Sequence, residues 1–448
     1  MSDVEIDSSQ QRRTDVAAAF DAPWRPTVSH LRAIVGALVL IAIALVWRRP
    51  DALVIATPFA VVATWSLLTR PTSPPSLDAH LGHSTIREGD ATTWHGDLTG
   101  TDVDIAVAVL DDFPWIDARP SSGVVTVLAT YGIADLRIGV RSIRWGVRPL
   151  ERVHVVAATP WAAFRWAVVT TPLPLTTLPL PAVFDARAHA RPSDGLIGLH
   201  RSARGGEGNE FAGIRQFHVG DRMRRINWPR SIRAGELHVN STWADLDTHI
   251  ALVVDATDDF GVSEGVDGLA SSLDGAVRAA GAIAEHYALR GERVSVRAFG
   301  TVVSRAVRPA SGRAQLRRIL DTLALVRPAD TARTGYRTPA AQTRGASGGR
   351  MTVMLSPLIA PEALDFAMSL GRQGMPVIIV DTLPDHVTED DDPYTALAWR
   401  IRLLERRREL RLVLGAGIPV VTWRGPGSLD HVIRDVSTRG AGPRMAPR

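Results

Sequence analysis

The sequence predicts an α/β doubly wound C-terminal domain, preceded by an all-β sandwich-like module and a two-helix transmembrane hairpin. Three observations carry that prediction. Two nearly charge-free apolar runs fall within the first 70 residues. Short stretches between residues 102 and 158 alternate polar with apolar side chains or are rich in β-branched residues, with turn signals between them. From His249 onward, brief apolar runs take turns with segments of helical period, the rhythm of a mostly parallel sheet.

Residues 1–28 mix acids and bases with no apolar period and read as a disordered tail. The hairpin occupies residues 29–70, with apolar runs Leu31 to Trp47 and Ala52 to Leu68 separated by Arg48, Arg49, Pro50 and Asp51. Each run is near the lower limit for a helix that crosses a hydrocarbon core of about 30 Å. A pair of buried core helices is the alternative, but both runs are apolar all round and flanked by Trp and Arg. A cleavable signal peptide fits poorly, because the second run follows at once. Arg12, Arg13, Arg25 and Arg32 before the hairpin and Arg70 after it outnumber Arg48 and Arg49 in the turn. That bias puts both termini in the cytoplasm and the chain in the inner (plasma) membrane, with an extracytoplasmic domain as the alternative.

The sandwich-like module spans 78–188, with strands expected at Asp102–Leu110, Gly123–Tyr131, Ala134–Ile143 and Glu151–Ala158. The Pro-rich stretch Thr170–Phe184 reads as an extended crossing segment. The segment 195–245 is dense in arginine, acids, glycine and aromatics. The domain at 246–440 follows, with strands at His249–Asp255, 293–300, Met351–Ser356, Pro376–Asp381 and Ile418–Trp423. Helices are expected between them at Val266–Leu289, Arg313–Leu325, Pro361–Arg372 and Thr395–Leu412.

Composition narrows the chemistry. The chain has 448 residues, enough for two or three domains, and no cysteine, which removes disulfides, thiol nucleophiles and cysteine-ligated metals. Every one of its 51 basic residues is arginine, yet the net charge is only +4. A nucleic-acid partner is therefore not expected, since such proteins concentrate a positive excess. Gly205–Glu210 resembles a phosphate-cradling loop but lacks the Gly-Lys-Ser/Thr that ends a P-loop. No HExxH helix occurs, and the 13 histidines are scattered, so no catalytic residue is assigned and the protein reads as a non-enzyme. Asp255 and Asp381, both at strand ends, are the one pair of carboxylates that would suit acid–base work.

The stretch Gly205 to Asn240 carries the most specific signal. Arg215, Arg222, Arg224, Arg225, Arg230 and Arg233 alternate with Glu207, Glu210, Asp221 and Glu236, beside Phe211, Phe217 and Trp228. Guanidinium forks and carboxylates at this density can satisfy one another. Its Gly206, Gly208, Glu210, Phe211, Gly213, Arg215, Gly220, Asp221, Arg225, Ile226, Trp228, Ser231, Arg233, Leu237 and Val239 resemble the signature of the domain of unknown function 58 family. Departures are Phe217 for Tyr, Asn227 for Asp and Ile232 for a small residue. Arg215, Asp221, Arg225, Trp228, Ser231 and Arg233 are assigned to an intramolecular network joining the preceding module to the sheet. The resemblance further implies partnership with MoxR-type AAA+ ATPases and transglutaminase-like membrane proteins, the lipid bilayer being the other partner.

The strand end Asp255-Ala256-Thr257-Asp258-Asp259 resembles the D-x-S-x-S start of a von Willebrand factor A-like metal site. Asp255, Thr257 and Asp259 are the candidate metal ligands or partner face. Mg²⁺ is the cofactor such hard oxygen donors would take. The later strand that usually ends in a carboxylate ends here in Ser356. The function expected is thus a membrane-anchored interaction scaffold or adaptor. A metal-dependent ligand-binding protein of the MIDAS type is its alternative.

Overall fold

The computed structural model describes residues 23–180, 205–218, 221, 223–243, 249–301, 306–328, 350–373, 375, 377–385, 387 and 392–424. The expected tail up to residue 22 and the end of the C-terminal domain beyond 424 lie outside them. The chain divides into two compact units, residues 1–178 and 179–448.

The first unit begins with a two-residue strand, β1 (Arg25–Pro26), and two helices, α1 (Val28–Trp47) and α2 (Pro50–Leu68). Both helices are long and apolar enough to cross a membrane. Thr27 caps α1, its hydroxyl accepting from the His30 amide at 3.2 Å, and Pro50 starts α2 where a missing N–H costs nothing. Apart from His30 at the start of α1, what the pair buries is small: Ala37 and Ala44 on α1, and Ala52, Ala56, Ala63 and Ser66 on α2. Large side chains such as Leu38, Leu45, Val54 and Val61 face outward. Close helix approach over small residues, with leucines and valines outside, is the packing expected in lipid rather than in water.

Eleven further strands form the β-rich part: β2 (Ser76–Leu81), β3 (Thr85–Arg87), β4 (Ala91–Thr99), β5 (Ile105–Leu110), β6 (Ile116–Arg119), β7 (Val124–Leu128), β8 (Ile133–Ser142), β9 (Gly146–Leu150), β10 (Val153–Ala158), β11 (Phe164–Val169) and β12 (Leu173–Leu178). They make sheets ordered β1-β11-β10-β5-β7, β2-β4-β8-β6 and β3-β12-β9. All pairings are antiparallel except β3 with β12. Alternate residues of β4, β5, β8 and β10 point inward around Trp94, Leu98, Leu136, Ile138 and Trp166. The Pro-rich crossing segment contributes a strand, β12, and its residues 181–184 lie outside the described residues. The hairpin is fastened to this body where β1 pairs with β11 and the Thr27 amide donates to the Ala163 carbonyl at 3.0 Å.

In the second unit a two-stranded ribbon comes first. It pairs β13 (Gly205–Gln216) with β14 (His238–Trp243), and a short helix, α3 (Trp228–Ala234), lies in their connection. The remaining elements are β15 (His249–Asp255), α4 (Ser272–Ala288), β16 (Arg293–Phe299), β17 (Ala306–Ala310), α5 (Arg313–Leu323), β18 (Arg350–Ser356), α6 (Pro361–Arg372), β19 (Val377–Asp381), α7 (Pro393–Gly415) and β20 (Val420–Thr422). The six-stranded sheet runs β17-β16-β15-β18-β19-β20, parallel except for the edge strand β17. Its strands β15 and β19 are buried along nearly their whole length, as strands covered on both sides must be. Val253, Met354, Ile379, Phe366 and Val413 are part of the core.

One boundary differs from the sequence expectation. Helix α4 starts at Ser272, not Val266, because Ser271 and Asp274 form a capping box that fixes the helix start there. Gly265 and Gly268 lie in the irregular segment before it.

Candidate functional site

Parallel strands end together, so the carboxyl ends of β15, β18 and β19 bring Asp255, Ser356 and Asp381 to one edge of the sheet. Asp255 is buried. Its Oδ1 accepts from the Thr257 amide at 3.1 Å and the Thr257 hydroxyl at 2.7 Å, and its Oδ2 accepts from the Ser356 hydroxyl at 2.5 Å. Burial pushes the carboxyl pKa up, and these three donors pull it back only in part. Ser356 in turn accepts from the Leu358 amide at 3.0 Å, which holds the backbone of Leu358 at φ 54°. Gly300, at φ 67°, ends β16 so close to this turn that a Cβ would sit 2.5 Å from the Thr257 nitrogen.

Asp381 is held from another direction. Arg406 of α7 reaches in, donating to Asp381 Oδ1 at 2.5 Å and to the Pro357 carbonyl at 2.9 Å. Both side chains are nearly buried. Burial still raises the Asp381 pKa, with the Arg406 charge opposing it. One turn earlier, Arg402 donates to the Ile359 carbonyl at 2.7 Å and to Glu409 at 2.8 Å. Two arginines thus clamp the loop after β18. Sequence reading missed them, although their spacing with Trp399 and Val413 on one face of α7 is a visible signal.

Of the proposed ligands, Asp255 and Thr257 are brought together with Ser356. Asp259 is directed elsewhere, its Oδ1 accepting from the Leu273 amide at the start of α4 at 3.0 Å. Among the described residues no group of three or more His, Asp or Glu stands at metal-binding separation. One carboxylate and two hydroxyls remain as a hard-oxygen set. Asp255 and Thr257 are both buried, so neither can itself be touched by a partner protein. The adjacent Asp258 is exposed, and partial desolvation of its carboxyl and the nearby Glu362 raise its pKa.

The arginine-rich segment is built differently. Arg215, on β13, donates to Asp221 Oδ2 at 2.7 Å and Oδ1 at 2.5 Å, a two-pronged contact. With the His218 amide also donating at 2.8 Å, the Asp221 pKa falls to about 2. Gln216 bonds Glu236 across the ribbon. Asn227 caps α3, accepting from the Arg230 amide at 3.1 Å while donating to Asn240 at 2.8 Å. Ser231 is buried, donating to the Asn227 carbonyl at 2.8 Å and accepting from the His238 amide at 2.9 Å.

Residues 213–389 match the family described as "Protein of unknown function DUF58". Over those residues the chain is similar to that family. No curated protein matches the chain.

Within the signature, the contacts seen among the described residues close on the segment itself. Arg215, Asp221 and Ser231 take part, and Arg225 is half-buried in a 3₁₀ turn (Met223–Arg225). Trp228 and Arg233, assigned to the same network from the sequence, make no side-chain hydrogen bond or ion pair among the described residues. Trp228 is 58% exposed and Ile232 78%. Arg224, Arg230 and Arg233 are exposed, with no ion pair among the described residues. Gly220, Arg222 and the side chains of Glu207, Glu210 and Phe211 lie outside the described residues. The segment Gly205–Gln216, whose start resembles a phosphate-cradling loop in sequence, is a bulged strand.

Proposed function

We propose that this protein is a membrane-anchored, non-enzymatic scaffold whose DUF58 signature is its docking face. Its α/β unit is a von Willebrand factor A-like domain. It works with a MoxR-type AAA+ ATPase, and with a transglutaminase-like membrane protein, in envelope-related protein assembly. The two apolar helices are the anchor.

One observation supports the docking role above the others. The ribbon is braced by Arg215–Asp221, Asn227–Asn240 and Ser231, while α3 offers Trp228, Ile232, Arg230 and Arg233 to solvent. A rigid base presenting Trp and Arg is what a protein-binding hot spot requires, since those residues dominate interface energies and rigidity lowers the ordering cost. The test is affinity capture of the full-length protein from native membranes, with Trp228→Ala and Arg230→Glu beside it. Recovery of an AAA+ ATPase that both substitutions abolish, at unchanged melting temperature, supports the adaptor. Recovery that both leave intact would assign docking elsewhere.

The second reading, a metal-dependent binder, is favoured by a buried carboxylate whose described donors are two hydroxyls and one amide. Residues Asp255, Thr257 and Ser356 would hold Mg²⁺, which would supply a coordination position for an acidic ligand. A rise in melting temperature with Mg²⁺ that Asp255→Ala removes is its signature.

A further inference from the structure

Helix α7 has two unlike faces. Its inner face is locked to the unit by Arg402, Arg406 and Val413, and by Trp399, whose ring stacks on Phe260 at 5.5 Å. The outer face therefore cannot roll inward. It carries Tyr394, Leu397, Ile401, Leu404 and Leu412, all at least half exposed and led by Tyr394 at 81%. At 100° per residue these five fall within one stripe of the helix, with Arg408 in the stripe and Arg411 on its border. Arg407, Arg408 and Arg411 are exposed, with no ion pair among the described residues, whereas the exposed Glu405 is already 3.5 Å from Arg402.

An apolar stripe of this size in water is unfavourable unless something covers it. A second copy would set Arg408 and Arg411 close to other arginines, because three of the four exposed charges between 405 and 411 are arginine and the fourth, Glu405, is already beside Arg402. A sheet of anionic headgroups over hydrocarbon matches both features at once: leucines and isoleucine enter the interface, Tyr394 sits at its polar boundary, and the arginines extend to phosphate. We propose that the outer face of α7 lies on an anionic lipid surface. The α/β unit is then held at the bilayer by its own contact and is not merely tethered by a linker. This rests on the membrane anchoring proposed above.

The absence of cysteine makes the test direct. Ile401→Cys in the full-length chain is labelled with an environment-sensitive fluorophore and reconstituted into vesicles of phosphatidylcholine alone or with phosphatidylglycerol. Leu289→Cys, exposed on the same unit, is the control. Flotation of the vesicles reports anchoring independently. The expected result is blue-shifted emission, quenched by brominated lipid, at position 401 only and in anionic vesicles only. Each arginine near such a surface contributes roughly fivefold in partitioning. Arg407→Glu, Arg408→Glu and Arg411→Glu together should therefore abolish the shift while flotation persists. Emission from position 401 that stays water-like in floated anionic vesicles would overturn the proposal. So would an equal shift in neutral vesicles, or disulfide cross-linking of unlabelled Ile401→Cys between copies. Loss of flotation in the unsubstituted chain would overturn the anchoring reading instead.

Discussion

The sheet's carboxyl edge and the DUF58 signature are both rich in charge, but they use it in opposite ways. At the edge, Asp255 and Asp381 are buried and their contacts turn inward, to Thr257, Ser356, Leu383 and Arg406. At the signature, Arg215 and Asp221 pair on the surface, and Arg224, Arg230 and Arg233 remain in water. The difference teaches that charge density alone does not mark a site. Buried charge here fixes loops, and exposed charge beside an exposed Trp is what a partner can reach.

The comparison breaks most visibly at Arg406. Arg406→Ala leaves Asp381 buried without its cation and should cost about 3–5 kcal/mol of stability, read by chemical denaturation of the full-length chain in detergent. A loss no larger than that of an exposed control such as Arg407→Ala would show that the clamp is not structural. Asp255→Ala should follow at about 1–3 kcal/mol, because two hydroxyls and an amide lose their acceptor. Gly300→Ala comes next, at roughly 1–2 kcal/mol for the left-handed backbone, with further loss from the collision at Thr257.

The smallest effect belongs to the surface pair, and it is pH-dependent. The Asp221 pKa is depressed to about 2, so its pairing stabilises the fold above the ordinary carboxylate value and is lost as pH falls toward 2. Asp221→Asn should lower the melting temperature slightly at pH 7, and the gap to the parent should close as pH falls from about 4 to about 2. A gap that stays constant over that range would mean that the carboxylate charge contributes nothing.

Much of the second unit was legible because its signals are local. The runs HIALVVD and PVIIVD read as buried strands on apolar content alone, and β15 and β19 lie there. Strands β2 and β4 were missed: SLDAHL and ATTWHGDLT alternate, but their outward positions are so polar that the inward Trp94 and Leu98 did not stand out. The candidate site was half legible. Asp255 and Thr257 are neighbours in sequence, whereas Ser356 and Arg406 join the edge from far along the chain. Six arginines crowd α7, and only packing decides that Arg402 and Arg406 point inward. At the signature, sequence can count guanidiniums and carboxylates but not their orientation, and among the described residues Trp228 and Arg233 make no side-chain hydrogen bond or ion pair with the others assigned to the network.

The central claim is that the signature's outward face, and not the sheet's buried edge, carries the protein's interactions. Parallel measurement of melting temperature and of ATPase capture from native membranes for Trp228→Ala tests it most directly. The account predicts an unchanged melting temperature with capture lost. Capture retained at parental level would contradict it.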